Sequence, residues 1–161
     1  MDQMPANWAE KSKESQKRYR DFLRKAHVGK TVKMLPALHD EAFGKINCLD
    51  CAGCCKNYSP RFKTPDIKRI SRHLKLKESQ FIDTYLQLDG DGDYVVKAAP
   101  CPFLGEGNEC SIYDVRPSDC ARFPYTDEDV LLKRQAITLK NAEFCPAVFY
   151  VLEKLLKNHT G

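Results

Sequence analysis

The residues best equipped for chemistry in this chain of 161 are its eight cysteines: Cys48, Cys51, Cys54, Cys55, Cys101, Cys110, Cys120 and Cys145. Four fall within eight residues as C-x2-C-x2-C-C, and the other four are spread over the C-terminal half. Two intervening residues let a chain turn back and present two sulfurs to one centre, so the spacing points to thiolate ligation of zinc or of an iron–sulfur cluster. Gly53 is expected to supply the positive φ or close backbone approach that such a loop needs. Cys54 and Cys55 are adjacent, and side chains of neighbouring residues diverge in most conformations. Either they serve different centres or one of them is not a ligand.

Two other readings fit the cysteines less well. A disulfide framework needs an oxidising compartment. The N-terminal MDQMPANWAEKSKESQKRYR goes straight into charged residues without the apolar core of a secretory signal, so the expected address is cytoplasmic. Isolated cysteines are often small buried hydrophobes, but a cluster flanked by Asp50, Gly53 and Lys56 is not a core segment. The later cysteines have settings that suit a thiolate. Pro146 opens AVFYVLEKLLK as a first-turn proline, placing Cys145 at a helix N-terminus, and Arg116-Pro117-Ser118-Asp119 places Cys120 in the first turn of a short helix. Free N–H groups and positive partial charge there favour the thiolate.

In order, the motif-bearing residues are CLDCAGCC from Cys48 to Cys55, CPFLGEGNECSIYDVRPSDCARFP from Cys101 to Pro124, and Cys145-Pro146. The combination resembles the YkgJ-type cysteine-cluster family, the CxxCxxCC zinc- or iron-chelating domains, from about Asn47 to Pro146. That family usually carries arginine directly after the cysteine matching Cys120, whereas here Ala121 stands there and Arg122 follows. The resemblance implies a bound metal or iron–sulfur centre, with all eight cysteines as candidate ligands, and implies no established reaction. A related cysteine region occurs in flagellin lysine methylases, but this chain is much shorter and shows no S-adenosylmethionine pocket.

Two functional readings follow. In the first, the cysteines ligate an iron–sulfur cluster, [4Fe–4S], for electron transfer or as an oxidoreductase component of a modification system. In the second, they make closed tetrahedral zinc sites for folding and partner binding without catalysis. Four thiolates suit either metal. A C-x2-C-x2-C run with an adjoining cysteine is unlike the paired knuckles of common zinc modules, which favours iron–sulfur.

The elements that must position these residues are read from pattern. A composition of 42% hydrophobic and 30% charged residues, a mean hydropathy of −0.53 and no apolar run near twenty residues give an ordinary globular chain without a membrane span. The expected fold is mainly α with a small β-hairpin (α+β), its irregular loops gathered around the cysteine site. Ala6 to His27 reads as one helix with Trp8, Ser12, Ser15, Tyr19, Phe22, Leu23 and Ala26 on one face and Gly29 as its stop. MLPALHDEAFG reads as a loop and short helix closing at Gly44. Thr64-Pro65 starts a helix carrying Ile67, Ile70 and Leu74, and another follows with Phe81, Ile82, Tyr85 and Leu86. Asp93 to Lys97 is the best strand, with Val130 to Thr138 as a second candidate.

The expected organisation is a basic helical arm, residues 1–46, packed on a cysteine-cluster domain, residues 47–161. The formal charge is +4, and residues 1–34 hold nine Lys/Arg against four Asp/Glu. Ligating thiolates would leave the rest acidic. The arm is then a clamp over that body or a surface for an acidic protein partner, and nucleic acid is not the expected partner. Asp89-Gly90-Asp91-Gly92-Asp93 lacks the glycine and glutamate an EF-hand loop requires and reads as a turn before a strand. Of the histidines only His39 is a candidate ligand, and His73 reads as a surface residue. The basic run Arg61, Lys63, Lys68, Arg69, Arg72, Lys75 and Lys77 reads as a solvated helix face.

Overall fold

A computed structural model describes residues 4–57 and 59–160. Among them run twelve helices, in chain order: α1 Trp8–Glu14, α2 Gln16–Lys25, α3 Val28–Val32, α4 Leu35–Lys45, α5 Cys48–Cys51, α6 Gly53–Asn57, α7 Thr64–His73, α8 Glu78–Tyr85, α9 Ser118–Arg122, α10 Val130–Lys133, α11 Gln135–Asn141 and α12 Pro146–Thr160. Strands β1 Leu86–Leu88 and β2 Tyr94–Val96 form an antiparallel hairpin, and a 3-10 turn spans Tyr113–Val115. The mainly α fold with one small hairpin is therefore observed. No helix among the described residues is long and apolar enough to cross a membrane.

The chain forms two compact units. A helical unit comprises Met1–Asn47 with Pro124–Gly161, and a cysteine unit comprises Cys48–Phe123. The sequence suggested a break at residue 46, and the structure adds that residues from 124 onward group with the N-terminal helices. The reason is α12. Ala147, Val148, Phe149, Tyr150, Val151 and Leu152 are all buried, a pattern without a polar face that marks a central helix. α12 packs against α1, α2 and α4, where Tyr19, Phe22, Leu23, Leu35, Leu38 and Ala42 face inward. The buried Tyr19 hydroxyl donates to Glu153 at 2.7 Å, and Glu41 accepts from Tyr150 and pairs with Lys154 at 3.3 Å.

Three expectations for this unit need correction. The first helix is interrupted at Ser15, because Ser12 and Ser15 are buried and the Ser12 hydroxyl bonds the Ala142 carbonyl at 2.5 Å instead of facing solvent. It ends at Lys25, and Gly29 lies inside α3. Val130 to Thr138 is not a strand: it forms α10 and most of α11, with Leu131 and Leu132 buried and Thr138 Oγ1 bonding the Leu131 carbonyl at 2.7 Å. Its β-branched residues are overridden by packing against neighbouring helices. The stretch expected as a loop and short helix closing at Gly44 is helical from Leu35, with Pro36 in the first turn, and ends at Lys45, one residue past Gly44.

In the cysteine unit, Phe62, Ile67, Ile70, Phe81, Leu86, Val96, Phe103 and Ile112 form one apolar cluster. α7 begins at Thr64, the residue expected to cap it, so the N-cap moves back to Lys63, and the Asp66 carboxylate accepts from the Lys63 N–H at 3.0 Å. α8 ends at Tyr85, and Leu86 opens β1. The hairpin turn is built as expected, with Asp89 Oδ1 accepting from the N–H groups of Asp91 and Asp93 at 2.9 Å each and Gly92 at φ +83°.

Candidate metal centre

The CLDCAGCC segment folds as two short helical turns, α5 and α6, joined at Ala52. The reversal falls on Ala52, at φ +47°, and not on Gly53. A left-handed alanine costs about 1–2 kcal/mol, and Ala52 is buried, so the surrounding packing holds it there. Gly53 contributes differently, by pointing its N–H at Cys51 Sγ, 3.4 Å away.

The second loop is anchored by apolar side chains. Phe103 and Ile112 lie in the apolar cluster, and Cys101 and Cys110 pack against its edge. A bridge between Leu104 and Cys110, with the Gly105 N–H bonding the Glu109 carbonyl at 2.7 Å, folds 104–110 back on itself. The Cys101 N–H bonds the Cys55 carbonyl at 2.8 Å, which fastens this loop directly to α6. Backbone N–H groups of Phe103 and Leu104 face the Cys101 thiol, and that of Ile112 faces Cys110. Amides aimed at sulfur are the setting in which thiolates bind metals.

Cys120 comes from α9, positioned by charged struts. Asp119 is 2% exposed and accepts from the Arg61 N–H at 3.2 Å and its Nε at 2.9 Å, with Lys63 Nζ at 3.7 Å. Burial alone would raise the Asp119 carboxyl, but Arg61 and Lys63 hold it below the usual carboxylate range. Asp66, also buried, accepts from the Ser118 N–H at 3.1 Å and pairs with Arg69 at 2.8 Å, while Arg69 donates to the carbonyls of Val115 and Arg116. Arg61, Lys63 and Arg69 are thus structural ties and not a purely solvated face. The sequence held a signal for this, since Asp66 and Asp119 stand where each can cap a helix start, but the long-range pairing was not visible.

The thiols act on one another. Burial raises Cys48, and neighbouring Cys51 and Cys55 raise it further. Cys101, Cys110 and Cys120 are likewise raised first by burial; Cys55 then raises Cys110, Cys55 and Cys110 raise Cys101, and Cys101, Cys55 and Cys110 raise Cys120. Cys55, common to all of these, is instead lowered to about 7 by a hydrogen bond from Cys54, with Lys56 assisting. Arg116 lowers Cys48 and Cys110. Six cysteines, Cys48, Cys51, Cys55, Cys101, Cys110 and Cys120, therefore share one electrostatic neighbourhood, with Cys54 bonded to it through Cys55. All eight cysteines are thiols. As arranged, no group of three His, Cys, Asp or Glu side chains among the described residues could hold a metal ion, so these thiols are neighbours and not a closed shell.

The remaining candidates lie in the helical unit. Cys145 is buried at the start of α12, where its carbonyl accepts from the Phe149 N–H at 3.2 Å. His39 Nδ1 bonds the buried Thr126 hydroxyl at 2.7 Å and its ring packs on Phe43, which gives it a structural role. His73, at the end of α7 in the cysteine unit, is exposed, as expected.

The donor set fits a thiophilic metal: soft sulfur ligands, amides directed at them, and raised thiols whose ionisation a bound cation would favour. No match was found among curated proteins or among solved structures. A family model described as a putative zinc- or iron-chelating domain, CxxCxxCC, matches residues 47–146. The chain belongs to this CxxCxxCC family of zinc- or iron-chelating domains.

Proposed function

We propose that this metal-binding protein holds an iron–sulfur cluster, [4Fe–4S], with ligands drawn from Cys48, Cys51, Cys55, Cys101, Cys110 and Cys120, and that it serves a redox or modification-associated role with a protein partner in the cytoplasm. The observation that carries the reading is the convergence of sulfurs from three segments on Cys55: the Cys101 N–H bonds the Cys55 carbonyl at 2.8 Å, and Cys48, Cys101, Cys110 and Cys120 are each raised by burial and further by Cys55. When bound, such a cluster supplies one-electron transfer. The chain's part is to deliver sulfurs from three separate segments, to aim backbone N–H groups at them, and to place Arg116 beside the accumulated negative charge. Cys48 is exposed, which leaves one side of the neighbourhood open to a partner. Cys54 orients Cys55 in this reading.

Zinc is the second reading, because the family description allows it and the same amide-to-sulfur geometry suits it. Anaerobic purification followed by metal and acid-labile sulfide analysis and a visible spectrum separates the two. Brown protein with iron and sulfide is the expected result. Colourless protein with stoichiometric zinc would overturn the iron–sulfur reading and leave the zinc module.

A further inference from the structure

The basic residues near α7 divide into two kinds. Arg61, Lys63 and Arg69 each have a carboxylate partner, in Asp119 or Asp66. The side chains of Lys68 and Arg72 have no ion-pair or hydrogen-bond partner among the described residues, and both are exposed. They stand four residues apart on one helix, where like charges repel and destabilise it. A fold that needed only solubility could place a carboxylate at either position.

These two cations line an open, solvent-facing cavity of about 520 Å³ together with Pro65, Arg69, His73 and Val115. Its size is in the range of small-molecule sites. The chemistry of its walls is divided: Lys68, Arg72 and the His73 ring offer cationic or N–H donors, while Pro65 and Val115 offer apolar surface. The Arg69 guanidinium is committed to Asp66 and to the carbonyls of Val115 and Arg116, so it fixes the cavity wall and leaves the other cations to a ligand.

We propose that this cavity is a binding site for a small phosphate monoester, its phosphate on Lys68 and Arg72 with His73 adjoining, and its organic part on Pro65 and Val115. A phosphate dianion matches two unpaired cations, and charge-assisted bonds to phosphate are the strong class. The cavity is larger than a bare phosphate fills, which is why an ester is assigned. The site needs no bound metal and stands apart from the proposed function.

The test is calorimetric titration of the full metal-loaded chain with phenyl phosphate at fixed ionic strength, beside inorganic phosphate and a short single-stranded oligonucleotide. Saturable binding of phenyl phosphate, tighter than that of inorganic phosphate, is expected. The double variant Lys68→Gln/Arg72→Gln weakens it at least about tenfold. The control Lys75→Gln/Lys77→Gln, with the same loss of charge, changes it by no more than about twofold. No saturable binding, equal loss in both double variants, inorganic phosphate binding as well as the ester, or binding by the oligonucleotide in place of the ester would each overturn the proposal.

Discussion

In the helical unit one helix, α12, is enclosed by apolar side chains along much of its length, and polar contacts such as Tyr19 with Glu153 sit around that core. In the cysteine unit eight apolar residues form the core, and the segments that bear sulfur are held by buried carboxylates, a left-handed alanine and amides aimed at thiols. The first arrangement is complete without a ligand. The second gathers side by side thiols that a bound metal would deprotonate, and binding free energy gained there would add to the stability of that unit. Seven of the eight cysteines belong to the cysteine unit and one, Cys145, to the helical unit.

The largest effect expected to test this contrast is on metal retention. Cys55→Ser removes the thiol that acts on every raised neighbour, and the purified chain should keep less than about a tenth of the wild-type metal. Cys145→Ala should keep nearly all of it and instead weaken the helical unit, where Cys145 is buried at the start of α12. Metal analysis of both variants checks this, and metal loss in Cys145→Ala would place that residue in the ligand shell.

Acidity comes next. Cys48, Cys101, Cys110 and Cys120 hold their protons more tightly than ordinary thiols, and a metal must displace those protons. Affinity should therefore fall as pH falls, by about tenfold per unit for each proton released, in a competition titration with a chelator. For the metal-free chain the sign reverses. A thiol raised in the folded state contributes stability that is present below its ordinary value and lost as pH rises through the folded value. Cys55, lowered to about 7, works the other way, its contribution being lost as pH falls through 7. Four raised thiols against one lowered predict that denaturant midpoints of the metal-free chain decline above about pH 9.

Smaller effects come from the struts. Asp119→Asn leaves Arg61 and Lys63 without their buried partner and should cost about 2–3 kcal/mol, toward the low end for a buried pair because Arg61 is partly exposed. Denaturant unfolding of the metal-loaded variant measures it, and a change below about 0.5 kcal/mol would show that α9 is held by other contacts. Ala52→Gly is the smallest. Relief of the left-handed strain is offset by the lost methyl burial and the greater freedom of the unfolded chain, so stability should move by less than about 1 kcal/mol. A larger gain would mean that strain at the knuckle dominates.

The same contrast governs what the sequence made legible. The metal chemistry was readable because ligand spacing is local: CLDCAGCC and Arg116 to Cys120 carry their geometry in a few residues. So were α4, α7 and α12, whose prolines and apolar stripes are local too. The break at Ser15 follows from the burial of Ser12 against a carbonyl 130 residues away, that of Ala142, and the helices at Val130 to Thr138 depend on burial against other helices. Likewise Arg61 looked like one more surface cation, because its partner Asp119 lies 58 residues further along the chain. Long-range pairing of charges leaves no periodic trace.

Hydrogen–deuterium exchange on the full chain, with and without chelation, tests the central claim most directly. Removing the metal should accelerate exchange throughout residues 48–123, most at 48–57, 101–112 and 118–122, and leave 16–25 and 147–155 protected. Equal acceleration in both units, or unchanged protection in the cysteine unit, would contradict the account.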